Sequence, residues 1–290
     1  CLKFIHTDKK YNIIELKYLK QEKISHNTEI FITAIPIIER CSISHERQFT
    51  HFPPKDGVKD NVIFTIWFGT SYTDNRDKQF QSIVKNSGCK VININQNNIH
   101  LLEYPLHKSF TYLSSIHKAD YLRCYLMYYY GGGYSDLKGT SGSWVDCFKV
   151  LEKYNFLYTI GYNCDGIPNE ITSGQNYDKQ LSQQLCSNRN NLNGVGFFIF
   201  KRNNSLINEW FLELNEKLDF FYEKLKENPA NYDRESACGC PVPIWEGGKL
   251  NTNYPIHWNT ILGYIVYPIY LKHIKNIRKG IPSRIKGNYK

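Results

Sequence analysis

Asp120, Arg123 and Asp136 are the residues of this chain whose types and spacing promise chemistry. Asp120 and Arg123 lie three apart in SSIHKADYLRCYLMYYY, where apolar residues recur at helical spacing through Ile116, Leu122, Leu126 and Tyr129. The two charges therefore share one helix face. On an exposed face they would be an ion pair of small stabilising value. This helix carries Tyr and Leu nearly all round, which predicts burial. Carboxylates accept hydrogen bonds from sugar hydroxyls, and Arg offers a planar fork of donors to oxygens and phosphates. Gly131, Gly132 and Gly133 end the helix, because glycine tolerates the left-handed geometry of a helix C-terminus. Tyr134, Ser135 and Asp136 then read as a short strand that brings Asp136 to the end of a sheet, where α/β proteins place ligands.

The elements that must position these residues are legible from residue 62 onward. VIFTIWFG (62–69) is a continuous apolar run closed by glycine, the pattern of a buried strand. A helix over 74–85 and an alternating strand KVININ (90–95) follow, and together they make a βαβ unit with parallel strands. NFLYTIGY (155–162) and GVGFFIFK (194–201) read as further strands, separated by a polar loop over 163–192. Residues 205–226 are helical, with Trp210, Leu214, Leu218, Phe221 and Leu225 as the apolar stripe. An amphipathic segment over 257–267 leads into a basic end. The fold class is α/β: one domain with a mixed, mostly parallel central sheet flanked by helices. The division expected is an N-terminal extension over 1–60 packing on that domain, the domain itself over 61–270, and a basic tail over 271–290. Within the extension, LKYLKQEKI reads as a short helix and EIFITAIPII as a strand.

A-D-Y-L-R followed by Y-G-G-G-Y-S-D resembles the "SDxxR…GGxYxDxD" region of DXD glycosyltransferases. It is most similar to the glycosyltransferase family 32 and capsular-polysaccharide group, and more distantly to the clostridial toxin glucosyltransferases. IWFG (66–69) resembles their first strand, and GVGFFIFKRNNSLINEW (194–210) their later strand-helix segment, so the likeness spans about 61–265. It implies the GT-A fold, a Rossmann-like sheet flanked by helices. It also implies transfer of a sugar from a nucleoside diphosphate donor, expected to be a UDP-sugar, to a glycan or polysaccharide acceptor with retention of configuration. By the same likeness Trp67 lies beside the nucleobase with the Phe68 backbone near it. Asp120 and Arg123 hold the donor sugar hydroxyls, Tyr134 and Ser135 line the donor, and Asp136 meets ribose, sugar or metal. His257 and Trp258 fall, in sequence order, where such enzymes place a residue that reaches the phosphates.

One position departs from that pattern. The second DXD carboxylate, which in the family coordinates Mn²⁺ or Mg²⁺, falls at Lys138. An ammonium cannot ligate a metal, but it can lie against a diphosphate and supply one positive charge. Metal independence is therefore expected. If an ion does bind, Asp136 and His257 are its candidate ligands. Asp120, Arg123, Asp136 and Lys138 are the candidate catalytic set. Acceptor contacts are expected in the 163–192 loop, with Asp165 and Glu170.

Composition narrows the alternatives. The 290 residues are 41% hydrophobic and 22% charged, enough for a proper buried core and unlike a disordered tail or a coiled coil. Mean hydropathy is −0.48, and the longest apolar stretch, FITAIPII, is far too short to span a bilayer. No signal peptide is expected, and because the sequence starts at Cys1, an upstream anchor stays open. The net charge is +9, but residues 271–290 carry seven Lys and Arg and no acid, which leaves +2 for the rest. A nucleic-acid partner is not expected from so neutral a body. The alternation of basic and apolar residues in LKHIKNIRKGI suits an interfacial helix on an anionic membrane, with a solubilising surface as the other reading. Nine cysteines without a C-x-x-C pair argue against a zinc ribbon, and a chain of this length does not need disulfides. A cytoplasmic or membrane-peripheral location follows. Cys238 and Cys240 form the one close pair, read as a thiol-bearing loop or as a metal or disulfide site. The rival to an enzyme is a binding module of the same fold that lost turnover with the second carboxylate.

Overall fold

The computed structural model describes residues 4–8, 13–16, 53–69, 72–162, 179–237 and 253–285. The chain divides into two compact units, Cys1–Gln48 and Phe49–Lys290. In the first, β1 (Phe4–Asp8) pairs antiparallel with β2 (Ile13–Leu16). Apart from Leu16, the helix and strand expected for LKYLKQEKI and EIFITAIPII lie outside the described residues.

The second unit is an α/β domain built on six strands. They are β3 (Val62–Ile66), β4 (Lys90–Ile94), β5 (Gly132–Ser135), β6 (Thr159–Tyr162), β7 (Phe197–Phe200) and β8 (Ile277–Ile281). Their order across the sheet is β4-β3-β5-β7-β6-β8. β3 is parallel to β4 and β5, β6 is parallel to β8, and β7 alone runs against its neighbours. The sheet is thus mixed and mostly parallel, as the strand-helix-strand pattern predicts. The helices are α1 (Asp74–Asn86), α2 (Ser115–Tyr129), α3 (Val145–Lys153), α4 (Lys179–Asn188), α5 (Ser205–Glu227) and α6 (Gly263–Lys272).

Strand alternation decides which helices cover which face. Val62, Phe64, Ile66, Phe198 and Phe200 share a core with α2, α5 and α6. Ile63, Phe197 and Ile199 point the other way and share a second core with Ile83 of α1 and Trp144, Phe148 and Leu151 at α3. Both faces of the central strands are therefore dry, which is why VIFTI and FFIF read as unbroken apolar runs. α2 packs against both the sheet and α5, and every residue from Asp120 to Met127 is buried. Gly132, at φ +100°, is needed where this helix turns into β5: a Cβ there would lie 2.9 Å from the Val62 carbonyl oxygen.

Three expectations change. The domain begins before residue 61, since Gly57 donates its N–H to the Tyr130 carbonyl (2.9 Å) and accepts from Val62 (2.8 Å). The 163–192 region contains α4, whose Ser182 and Leu185 are buried. Finally, 271–290 is no tail from its first residue. Lys272 ends α6, and 277–281 form the sheet-edge strand β8 paired with β6 from Thr159↔Ile277 to Tyr162↔Ile281. The charges hid two apolar anchors: Ile277 packs against the core on the α2 face and Ile281 is buried in the core on the other, across a register shift in the pairing with β6, while Arg278 is exposed. An interfacial helix over LKHIKNIRKGI is excluded by that pairing. Among the described residues, no helix is long and apolar enough to cross a membrane.

Candidate active site

α2 and β5 bring the charged residues together. Arg123 sits at the centre of the cluster. Its Nη2 lies 2.8 Å from Asp120 Oδ1 and 3.8 Å from Asp136 Oδ1. Its Nη1 donates to the Val195 carbonyl at 2.8 Å, and the guanidinium stands 4.6 Å from the Tyr134 ring centroid. Asp136 is held from three sides: Tyr134 Oη donates to Oδ1 (2.8 Å), Arg123 approaches the same oxygen, and Lys138 Nζ donates to Oδ2 (2.8 Å). The Asp136 backbone N–H bonds the Gly196 carbonyl at 2.8 Å. That close approach needs a glycine, because a Cβ at 196 would lie 2.9 Å from Asp136 Oδ2.

The cluster is layered. Asp120 and Arg123 side chains are 10% and 8% exposed, whereas Asp136 and Lys138 side chains are 20% and 28% exposed. A ligand therefore meets Asp136 and Lys138 first, with the Asp120–Arg123 pair beneath them. The two carboxylates are driven apart in acidity. Burial raises Asp120 to about 6, against the pull of Arg123 and reinforced by Asp136. Burial would raise Asp136 as well, but Lys138, Arg123 and the hydrogen bonds from Lys138 and Tyr134 hold it at about 2. Burial also disfavours the Arg123 charge, yet Tyr134, Asp120, Asp136 and Tyr267 together raise its pKa, so it stays protonated.

The aromatic residues divide between the two faces of the sheet. Trp67 follows β3, bonds Ile94 through its backbone N–H (2.9 Å), and meets Tyr72 edge-on at 5.3 Å. Phe68 turns to the α2 face and packs edge-on against Phe110 at 5.9 Å. Arg76, in the first turn of α1, connects Trp67 to the cluster. Its guanidinium carbon is 5.6 Å from the Trp67 ring centroid, and its Nη1 donates to the Leu137 carbonyl at 3.0 Å. Arg76 was missed in the sequence because Asp74-Asn-Arg-Asp-Lys reads as an ordinary charged helix start.

Two expected contacts are not assembled. Ser135 is fully buried and its hydroxyl donates to the adjacent Asp136 carbonyl (2.9 Å), so it presents no donor to a ligand. His257 and Trp258 are exposed, and no hydrogen bond or ion pair among the described residues joins either to Asp136. Their backbone instead lies against His117, one turn before Asp120 on α2. His117 is completely buried, with Nδ1 2.8 Å from Tyr254 Oη and 3.1 Å from Ser114 Oγ. Burial lowers its imidazole to about 3, so it remains neutral and fastens the 253–258 segment to the site helix. A G-x-G at 194–196 was the one available signal for the close approach at Asp136. His117 gave none, since a lone histidine on a helix has no characteristic spacing.

The residues present do not fit a divalent ion bound through Asp136. Both of its oxygens are engaged by protein donors, and an ion at Oδ2 would meet the Lys138 ammonium. Asp165, Glu170, Cys238 and Cys240 lie outside the described residues. No family model matches this chain, and no curated protein matches it either.

Proposed function

We propose that the chain is a GT-A-type glycosyltransferase that moves a sugar from a nucleoside diphosphate donor, a UDP-sugar by the resemblance of IWFG, to a hydroxyl of a glycan. The observation that carries this reading is the charged cluster of Asp136, Lys138, Arg123 and Asp120 at the C-terminal edge of parallel strands, the place where open α/β sheets take ligands. Asp136 is a permanently ionised acceptor for ribose or sugar hydroxyls. Lys138 faces the diphosphate. Asp120 and Arg123 are positioning residues that hold Asp136 in register. In the transfer, the bond from the sugar C1 to the phosphate oxygen breaks and its electron pair leaves with the nucleoside diphosphate. The acceptor oxygen bonds C1, and its proton passes to the departing phosphate or to water. Retention needs no side-chain nucleophile, and the reading assigns none.

The test is turnover of a panel of UDP-, GDP- and TDP-sugars by the full chain, read as released nucleoside diphosphate. Release from a UDP-sugar is expected, and its loss in Asp136→Ala at a temperature where the variant is still folded, since Tyr134, Arg123 and Lys138 lose a shared acceptor and melting will fall. Asp136 is a strand-end carboxylate whose removal costs a charged hydrogen bond of roughly 1.5–3 kcal/mol to the donor. Turnover of Asp136→Ala within a few-fold of wild type would overturn the site assignment. Lys138 in place of a carboxylate favours a second reading, a sugar-nucleotide-binding module without turnover. Tight binding of a donor with no release would select it.

A further inference from the structure

We propose that Arg76 and Lys138 form a two-cation strip that binds the donor's diphosphate and takes the place of a divalent ion, an inference that rests on the glycosyltransferase reading above. Placement carries the first part. β3 and β5 are adjacent and parallel, with Phe64 opposite Tyr134, so the residues that follow them emerge side by side. Trp67 follows β3, and Asp136 to Lys138 follow β5. Arg76 spans the gap: its guanidinium stands 5.6 Å from the Trp67 ring and is tied at 3.0 Å to the carbonyl of Leu137, the residue before Lys138. Lys138 in turn reaches Asp136 at 2.8 Å. A donor with its base at Trp67 and its sugar at Asp136 must lay its two phosphates across Arg76 and Lys138. Both side chains are partly exposed, so this strip faces outward rather than into the core.

Charge carries the second part. A lysine where the DXD pattern has a carboxylate changes the local charge by two, from minus one to plus one. That is the charge a divalent ion brings. Asp120, Arg123, Asp136 and Lys138 sum to zero, whereas a carboxylate at 138 would leave the same four positions at minus two. The Lys138 ammonium already satisfies Asp136 Oδ2, so a metal at that oxygen would have to displace it. Guanidinium and ammonium are both strong phosphate partners, the first as a fork and the second as a point charge.

The experiment is calorimetric titration of the full chain with UDP and with uridine, each in Mn²⁺ and in EDTA. UDP is expected to bind equally in both conditions. Lys138→Ala and Arg76→Ala are each expected to weaken UDP about tenfold or more while leaving uridine unchanged, the loss that follows from deleting one charged hydrogen bond. The uridine arm reports that each variant still folds its base site. In Lys138→Asp, UDP binding is expected to return only with Mn²⁺. Wild-type UDP binding that vanishes in EDTA and returns with Mn²⁺ would overturn the inference while leaving the glycosyltransferase reading standing. An equal loss of UDP and uridine in Arg76→Ala would show that Arg76 serves only Trp67, and would overturn its place in the strip. No binding of UDP in either condition would overturn the UDP-sugar reading, and this inference with it.

Discussion

Replacing Asp120 by Asn should change how stability depends on pH, and by an amount the structure sets. Asp120 is 7% exposed, and burial lifts its carboxyl from the ordinary 3.8 to about 6. Below 3.8 it is protonated in both folded and unfolded chains and has no effect. As pH rises from 3.8 towards 6, the unfolded chain loses this proton first, so folding becomes less favourable. At about 1.4 kcal/mol for each pH unit, the gap amounts to about 3 kcal/mol, fully developed above pH 6. Asp136 adds stability between about 2 and the ordinary 3.8, below most of this window, and it is present in both proteins. Asn at 120 cannot ionise, so the variant lacks this term. Any difference between the protonated carboxyl and the amide adds an offset independent of pH, while the pull of Arg123 on the ionised form is already contained in the value of about 6. The assay is urea unfolding of both proteins at intervals from about pH 4 to about pH 8, read as the difference in unfolding free energy. That difference should move in favour of Asp120→Asn by about 3 kcal/mol as pH rises. Other titrating groups, His107 and His117 among them, are common to both proteins and cancel. Parallel curves across the range would refute the reasoning, because they would mean that Asp120 ionises as easily folded as unfolded.

Two glycines give sharper local tests. Gly132→Ala places a side chain at φ +100° and a Cβ 2.9 Å from the Val62 carbonyl oxygen, so a loss of about 1–3 kcal/mol in thermal or urea unfolding is expected. Gly196→Ala puts its methyl 2.9 Å from Asp136 Oδ2; the carboxylate must turn, and affinity for a UDP-sugar should fall about tenfold by calorimetry.

Much of this arrangement was legible before any coordinates, for reasons that differ by element. VIFTI and FFIF are buried on both faces, so their apolar runs leave no competing reading. The glycines after Tyr130 mark a turn that only glycine fits, and Gly132 at φ +100° bears that out. The grouping of Asp120, Arg123 and Asp136 followed from helix spacing and one short strand. β8 was not legible, because five residues of edge strand sit inside a run of cations whose overall charge dominates the pattern. α3 and α4 were missed because they are short and cover the sheet with few apolar residues, Phe148 and Leu151 in one and Leu185 in the other. Arg76 was invisible for a different reason. Its role depends on two partners, Trp67 and the Leu137 carbonyl, of which the second is 61 residues away. A backbone carbonyl leaves no mark on a side-chain pattern.

The same distinction bears on how the two carboxylates divide their work. Both are embedded in the domain, and burial by itself would neutralise each. They differ in how many positive and donating groups surround them. Asp136 has Lys138, Arg123 and the Tyr134 hydroxyl, and remains ionised at every ordinary pH. Asp120 has Arg123 and the repulsion of Asp136, and its acidity falls to about 6. Separating the acidities of two neighbouring carboxyls in this way gives one fixed anion and one group that can respond to what binds beside it. An arriving diphosphate would draw Lys138 towards itself and so release part of the hold on Asp136 Oδ2. That oxygen would then be available to a sugar hydroxyl, while Arg123, anchored to the Val195 carbonyl at 2.8 Å, keeps the carboxylate in place. On the glycosyltransferase reading Lys138 would act twice at one position, covering Asp136 Oδ2 as it does in this structure and turning to the phosphates when a donor binds.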